Sequence, residues 1–323
     1  MRGARRRWAR HVSKLTANQH YVWQYHLRAW ATPKKLWCKR HDQPEPFSTT
    51  PRNVASERYF YEFQELLPVD LAYIEQLIDR SGDTGLREAN RGWVTFFQRT
   101  FVIRRALADR TIAVPLKAQL ETELRNIERM LGETYHQGIE GRTVPLLDAL
   151  RRQDASFHDD EGQCATFIQF LTLQYFRTAK LRNDMLAIAN PLPHDMARTW
   201  PIEAFIYATN VGASLYRQRR SYRLLFLPNE TDIPFITGDQ PIINLIGIET
   251  EELDFYYPLS PKLAMIYTAT PERYPGAGRP TSRFQVEHYN FRMFARSDAQ
   301  IYGNDPAYLK AVAALPKSSD WSG

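Results

Sequence analysis

Cysteine is nearly absent from this chain of 323 residues: only Cys38 and Cys164 occur. Two isolated thiols make neither a disulfide framework nor a paired metal-ligand motif, and they suit a reducing compartment. Long apolar runs are missing as well. A bilayer span needs about 20 apolar residues, and the strongest candidate, Phe167 to Phe176, is interrupted by Gln169, Thr172 and Gln174. Together these features point to a cytoplasmic protein with no membrane span. No Gly-x-x-x-x-Gly-Lys-Ser/Thr loop, Gly-x-Gly-x-x-Gly turn after a strand, His-Glu-x-x-His helix or Gly-x-Ser-x-Gly elbow is present. Their absence argues against a P-loop ATPase, a dinucleotide enzyme, a simple zincin and an α/β-hydrolase. Without a nucleotide-cofactor motif the cofactor stays unassigned, with a divalent metal left open. Oligomeric state is not encoded in any motif.

The composition that remains is globular: 43% hydrophobic, 13% aromatic and 24% charged. The net charge of +6 is unevenly placed. Residues 1–41 carry eleven Lys/Arg and no acid, which leaves 31 bases against 36 acids in the remainder. Residues 1–16 read as a flexible basic arm. Arg5, Arg6, Arg7 and Arg10 are its candidates for holding nucleic acid or another polyanion. A solvated tail with no ligand is the competing reading. No apolar stretch follows these arginines, so a secretory signal is not expected.

Periodicity predicts one α+β domain over 17–315 and a tail over 316–323. Its helical body spans about 57–220. A small mixed or antiparallel sheet, built mainly from the C-terminal third, spans about 222–267, and a final helix about 284–301. Gln19–Trp30 predicts a short amphipathic helix, and Leu36–Cys38 a short strand. Separate helices are predicted over Gln119–Gln137 and Thr143–Arg152, and one long helix over Gln163–Leu186 that Pro191 and Pro193 would end.

Four segments in order resemble the bacterial domain-of-unknown-function family 4238. Gln19-His20-Tyr21-Val22-Trp23-Gln24-Tyr25-His26-Leu27 is similar to its opening His-x-Val-Pro-x-x-Tyr-Leu pattern. Phe170-Leu171-Thr172-Leu173-Gln174-Tyr175-Phe176-Arg177-Thr178 resembles its Leu-Gln-Tyr-x-Arg-Thr helix. Phe235-Ile236-Thr237-Gly238-Asp239-Gln240-Pro241, followed by Tyr257-Pro258-Leu259-Ser260-Pro261, resembles its Thr-Ser-Asp-x-Pro and Pro-Leu-Ser-Pro pair. Asn290 is placed like the Asn of its last helix. Trp23 stands where the family has Pro, His26 near its Tyr, and Gly238 in place of Ser, so no Ser nucleophile is assigned. The resemblance implies a bacterial, defence-like setting and leaves the chemistry open.

The residues allow three functions. In the first, the chain is a hydrolase, a nuclease-like effector that cleaves phosphodiesters in nucleic acid or nucleotides. His20 would act as acid or base, Asp239 as the loop carboxylate and Arg177 as the phosphate-stabilising fork. Gln24, Gln174, Gln240, Asn290 and Glu140 would bind substrate or support the site, and Glu140 or Asp239 would neutralise Arg177. An Asp239 partner would raise the pKa of His20. In the second, the chain is a non-catalytic binding or interaction module, and the same polar motifs form a buried structural network. A toxin-like protein acting by contact is a third form. His20 and His26 diverge by about 120° on a helix, so they do not share a metal. Arg129 and His136 have the spacing of helical ribonuclease pairs, with Gly132 between them weakening the helix.

Overall fold

The computed structural model describes residues 16–108, 110–188, 194–247 and 252–317. Arg5, Arg6, Arg7 and Arg10 lie outside the described residues, as do Pro191, Pro193 and the tail over 318–323. In chain order the elements are strand β1 (Asn18–His20), helix α1 (Gln24–Leu27), and strands β2 (Leu36–Arg40), β3 (Phe47–Thr49) and β4 (Ser56–Arg58). Helices α2 (Pro68–Asp79), α3 (Thr84–Ala108), α4 (Val114–Arg151), α5 (Glu161–Phe176), α6 (Ala179–Ile188) and α7 (Met196–Arg217) follow. Strands β5 (Arg223–Pro228), β6 (Thr237–Gly238), β7 (Ile243–Asn244), β8 (Phe255–Ser260) and β9 (Leu263–Thr268) come next. Helix α8 (Arg283–Arg296), strand β10 (Gln300–Gly303) and helix α9 (Pro306–Ala313) close the chain. Helix outweighs strand, and the larger sheets are antiparallel: an α+β fold.

Local chemistry explains the helix starts. Pro68 opens α2, where a missing N–H is harmless, and the Leu67 N–H donates to Asp70. Asp160 caps α5 by accepting from the Gln163 N–H at 2.8 Å. Ser282 and Gln285 form a reciprocal capping box on α8.

Four segments depart from the periodicity. The predicted long helix over Gln163–Leu186 is two helices, broken at Arg177 and Thr178. The two helices predicted between Gln119 and Arg152 are one, α4, which runs through Pro145. The final helix stops at Arg296 rather than near Ile301. Ser297 turns back on Phe294 O through both its N–H and its hydroxyl, and the chain leaves as strand β10. In Gln19–Trp30 only α1 and a single 3₁₀ turn are helical.

The chain packs into two compact units, each assembled from separated segments. The first comprises Met1–Gln19, Ser56–Gly138 and Pro191–Ile206. Its core is aromatic: Phe63 stacks on Phe97 at 3.9 Å, with Trp93 and Phe205 against the same ring. Gly132 lets α4 close on this core, because a Cβ there would lie 2.8 Å from Tyr61 Cβ. Arg129 is held by Glu62 at 2.8 Å over the Tyr59 ring, and His136 is packed between Tyr61 and Phe205. The ribonuclease-like spacing thus falls on two residues engaged in packing.

The second unit comprises His20–Ala55, Ile139–Asn190 and Tyr207–Gly323. It contains two four-stranded sheets, ordered β3-β2-β10-β6 and β5-β9-β8-β7. Tyr302 of β10 sits opposite Cys38 on one side and Thr237 on the other. Phe235, Tyr256, Ile266, Met293 and Ile301 belong to one buried cluster in this unit.

Candidate functional site

The candidate site residues His20, Gln24, Glu140, Gln174, Arg177, Asp239, Gln240 and Asn290 all fall in the second unit. His20 is half-buried at the end of β1. Its Nδ1 lies 3.3 Å from Gln24 Nε2 and its Nε2 3.0 Å from Arg52 O. An amide nitrogen only donates, so Nδ1 accepts and the ring proton sits on Nε2, donated to the Arg52 carbonyl. Burial lowers the His20 pKa; the Arg52 carbonyl pulls it partly back and the Arg177 charge lowers it further. This corrects the expected pairing with Asp239: the shift runs downward, and His20 is neutral at pH 7.

Gln174 and Arg177 stand at the end of α5, at 2% and 5% exposure. Gln174 Nε2 donates to Tyr21 O at 2.9 Å, and its Oε1 accepts from Arg177 Nη2 at 2.5 Å. The same nitrogen reaches Glu140 Oε1 in α4 at 2.6 Å. Glu140, not Asp239, is therefore the acid paired with Arg177. Burial raises the Glu140 pKa and the Arg177 charge opposes the rise. Next in the chain, the Thr178 hydroxyl donates to Gln240 Oε1 and accepts the Leu181 N–H at 3.4 Å, which starts α6. Gln240 Nε2 donates to Tyr175 O and Ile242 O.

Asp239 follows β6 and is 1% exposed. Its Oδ1 accepts the Asp298 N–H at 2.7 Å, and its Oδ2 accepts those of Ala299 and Gln300 at 2.7 and 2.8 Å. The carboxylate thereby fastens the loop leading into β10. Burial pushes its pKa up to about 6, against the pull of the three N–H groups. Gly238 faces packed interior: a Cβ would lie 3.2 Å from Ser297 Cβ. A side chain at this position would not open onto solvent. Asn290, fully buried, accepts the Ile236 N–H at 2.9 Å and donates to Pro234 O at 2.8 Å.

Residues that sequence reasoning missed complete the connections. His26, read above for its spacing from His20 and as standing near the family's Tyr, is 1% exposed. Its Nε2 is 3.0 Å from Thr237 Oγ1, and its ring stacks on Tyr257 at 4.7 Å. Burial holds it well below the usual histidine pKa. Trp30 Nε1 donates to Phe235 O at 2.8 Å. Each of the four motif segments is thus bonded to another: the first to the second through Gln174, the first to the third through His26, the second to the third through Gln240, and the third to the fourth through Asn290. Among the described residues, no group of three or more His, Cys, Asp or Glu is placed to hold a metal ion.

Residues 18–307 match the family model described as "Protein of unknown function (DUF4238)". The chain belongs to this family. The DUF4238 match contains every motif residue of the network and leaves out the arginines of the arm. No curated protein and no solved structure matches the chain significantly. No helix among the described residues is long and apolar enough to cross a membrane.

Proposed function

We propose that this DUF4238 protein is a non-catalytic binding module. Its motif residues form a buried structural network, and it takes nucleic acid or another polyanion through the basic segment before residue 17. Asp239 carries this reading. Both of its oxygens are occupied by three backbone N–H groups at 1% exposure, so the carboxylate is placed to hold a loop and not to meet a substrate. The charge asymmetry supplies the ligand class: the first 41 residues carry bases and no acid, and the remainder is net acidic. Binding of labelled oligonucleotides, measured over a series of salt concentrations, tests the reading. Deleting residues 2–16 removes six Lys/Arg and should flatten the log–log salt slope by up to about five units. An unchanged affinity and slope would refute it.

One observation favours phosphodiester cleavage as a second reading. His20 is half-buried and neutral at pH 7, the state a general base requires, and Arg177 is near enough to influence it. An effector role in bacterial defence would follow from that activity. Incubation with RNA, DNA and nucleotides, with and without divalent metal, tests it. Products that disappear in His20→Ala, with the fold retained, would displace the binding-module reading.

A further inference from the structure

The turn between α7 and β5 carries charge that the motif network does not use. Arg217, Arg219, Arg220 and Arg223 fall within seven residues that contain no acid. The turn is closed by the Ser221 N–H donating to Gln218 O at 2.8 Å. Arg219, Arg220 and Arg223 line a cleft of about 580 Å³ together with His158, Asp159 and Glu161. That volume suits a small-molecule ligand.

The three guanidiniums are not equivalent. Arg219 lies over the Tyr216 ring and is neutralised by Glu161 at 2.5 Å. Arg223 is braced through Nη1, which donates to the carbonyls of Arg220 and Tyr222 at 2.6 and 2.9 Å. Its Nε and Nη2 have no partner among the described residues, and the Arg220 side chain has none either. Two exposed forks are therefore available, with one held in position beforehand. Asp159 opposes them with a single negative charge. His158 adds a neutral donor. Its Nε2 lies 3.0 Å from the hydroxyl of Tyr267, which is buried and has no other acceptor among the described residues. The hydroxyl gives its proton to Nε2, so the ring carries its own on Nδ1. Burial lowers the His158 pKa; the Asp159 charge pulls it partly back, and Arg223 and Arg219 lower it further.

We propose that this cleft binds a small phosphorylated metabolite, a phosphate mono- or diphosphate ester, with its phosphate oxygens on Arg220 and Arg223. Guanidinium forks match phosphate bidentately, whereas a lysine would offer only a point charge. The small excess of positive charge suits one compact anion better than a polymer backbone. The inference goes beyond the binding-module reading and stands without it, since none of these residues belongs to the arm or the network.

Titration calorimetry on the full chain, at constant ionic strength, with pyrophosphate, ADP and adenosine tests it. Pyrophosphate and ADP should bind and adenosine should not. Arg220→Gln and Arg223→Gln should each weaken binding at least about tenfold, as expected for loss of a charged hydrogen-bonding fork. Asp159→Asn should tighten it, and deletion of residues 2–16 should leave it unchanged. Both arginines are exposed, and an unchanged Tm confirms that the variants fold. Absence of binding by either phosphate compound at millimolar concentration would overturn the proposal. So would affinity equal to wild type in Arg220→Gln, or affinity lost with the arm.

Discussion

Asn290→Ala separates a structural motif residue from a substrate-orienting one by the sign and size of a single number. The wild-type amide accepts the Ile236 N–H at 2.9 Å and donates to Pro234 O at 2.8 Å and to Tyr308 Oη at 3.0 Å. Alanine leaves the first two backbone groups without partners at a position with 0% exposure. Each buried, unsatisfied group costs about 1–3 kcal/mol. The half-buried Tyr308 hydroxyl can turn to solvent and adds little. The expected loss is therefore about 2–5 kcal/mol. A side chain kept for binding substrate would behave otherwise, since its removal changes stability by less than about 0.5 kcal/mol or raises it. Because the chain has two compact units, the loss should be read locally, by hydrogen exchange in β8 and β9 across a urea series. Asn290→Asp, which sets an acceptor oxygen against Pro234 O and buries a charge, should be worse than Asn290→Ala. An Asn290→Ala protein within about 0.5 kcal/mol of wild type would refute the structural-network account of this motif.

Three further outcomes are expected. The Asp239 pKa of about 6 lies above its ordinary 3.8, so the folded state holds that proton more tightly. The stability gained from this group is present below about pH 4 and is lost as the pH rises through about 6. The unfolding free energy of wild type minus Asp239→Asn should therefore fall by up to about 3 kcal/mol across that window, and a flat difference would contradict the burial argument. In α4, the space a Cβ would occupy is open at Gly138 and crowded at Gly132; Gly138→Ala should stabilise by about 0.5–1 kcal/mol and Gly132→Ala should destabilise by about 1–3 kcal/mol, both read from thermal melts. Glu140→Ala, which leaves the 5%-exposed Arg177 without its acid, should cost about 3–5 kcal/mol in urea unfolding, and Glu140→Gln should cost less.

The α+β class and most strand positions were legible because alternation and turn residues mark short strands directly. The break at Arg177 and Thr178 was not, since no Gly or Pro occurs there. At the break the Thr178 hydroxyl donates to Gln240, 62 positions away, a partner no local pattern announces. Strand β10 was hidden for a similar reason: Ala299-Gln300-Ile301 continues an apolar pattern from the helix, and only pairing with β2 and β6 makes it a strand. Asp239 could be found from its loop, but its partners could not. They are backbone N–H groups, which every residue except proline supplies, so no residue type announces them. The arginine run over 217–223 is plain in the sequence and signals no site by itself, because its cleft exists only once residues 155–161 are brought beside it.

The pairing of β2 with β10 joins residues 37–40 to 300–303, and this places a constraint on how the protein is made. The hairpin of β2 and β3 can form early in translation. Its other edge must then wait for about 260 residues to emerge, roughly 15–50 s at ordinary elongation rates. An open strand edge held that long is a template for joining another nascent chain. Lys39 and Arg40 lie on that strand, where two adjacent positive charges repel an identical edge arriving from a neighbouring ribosome on the same message.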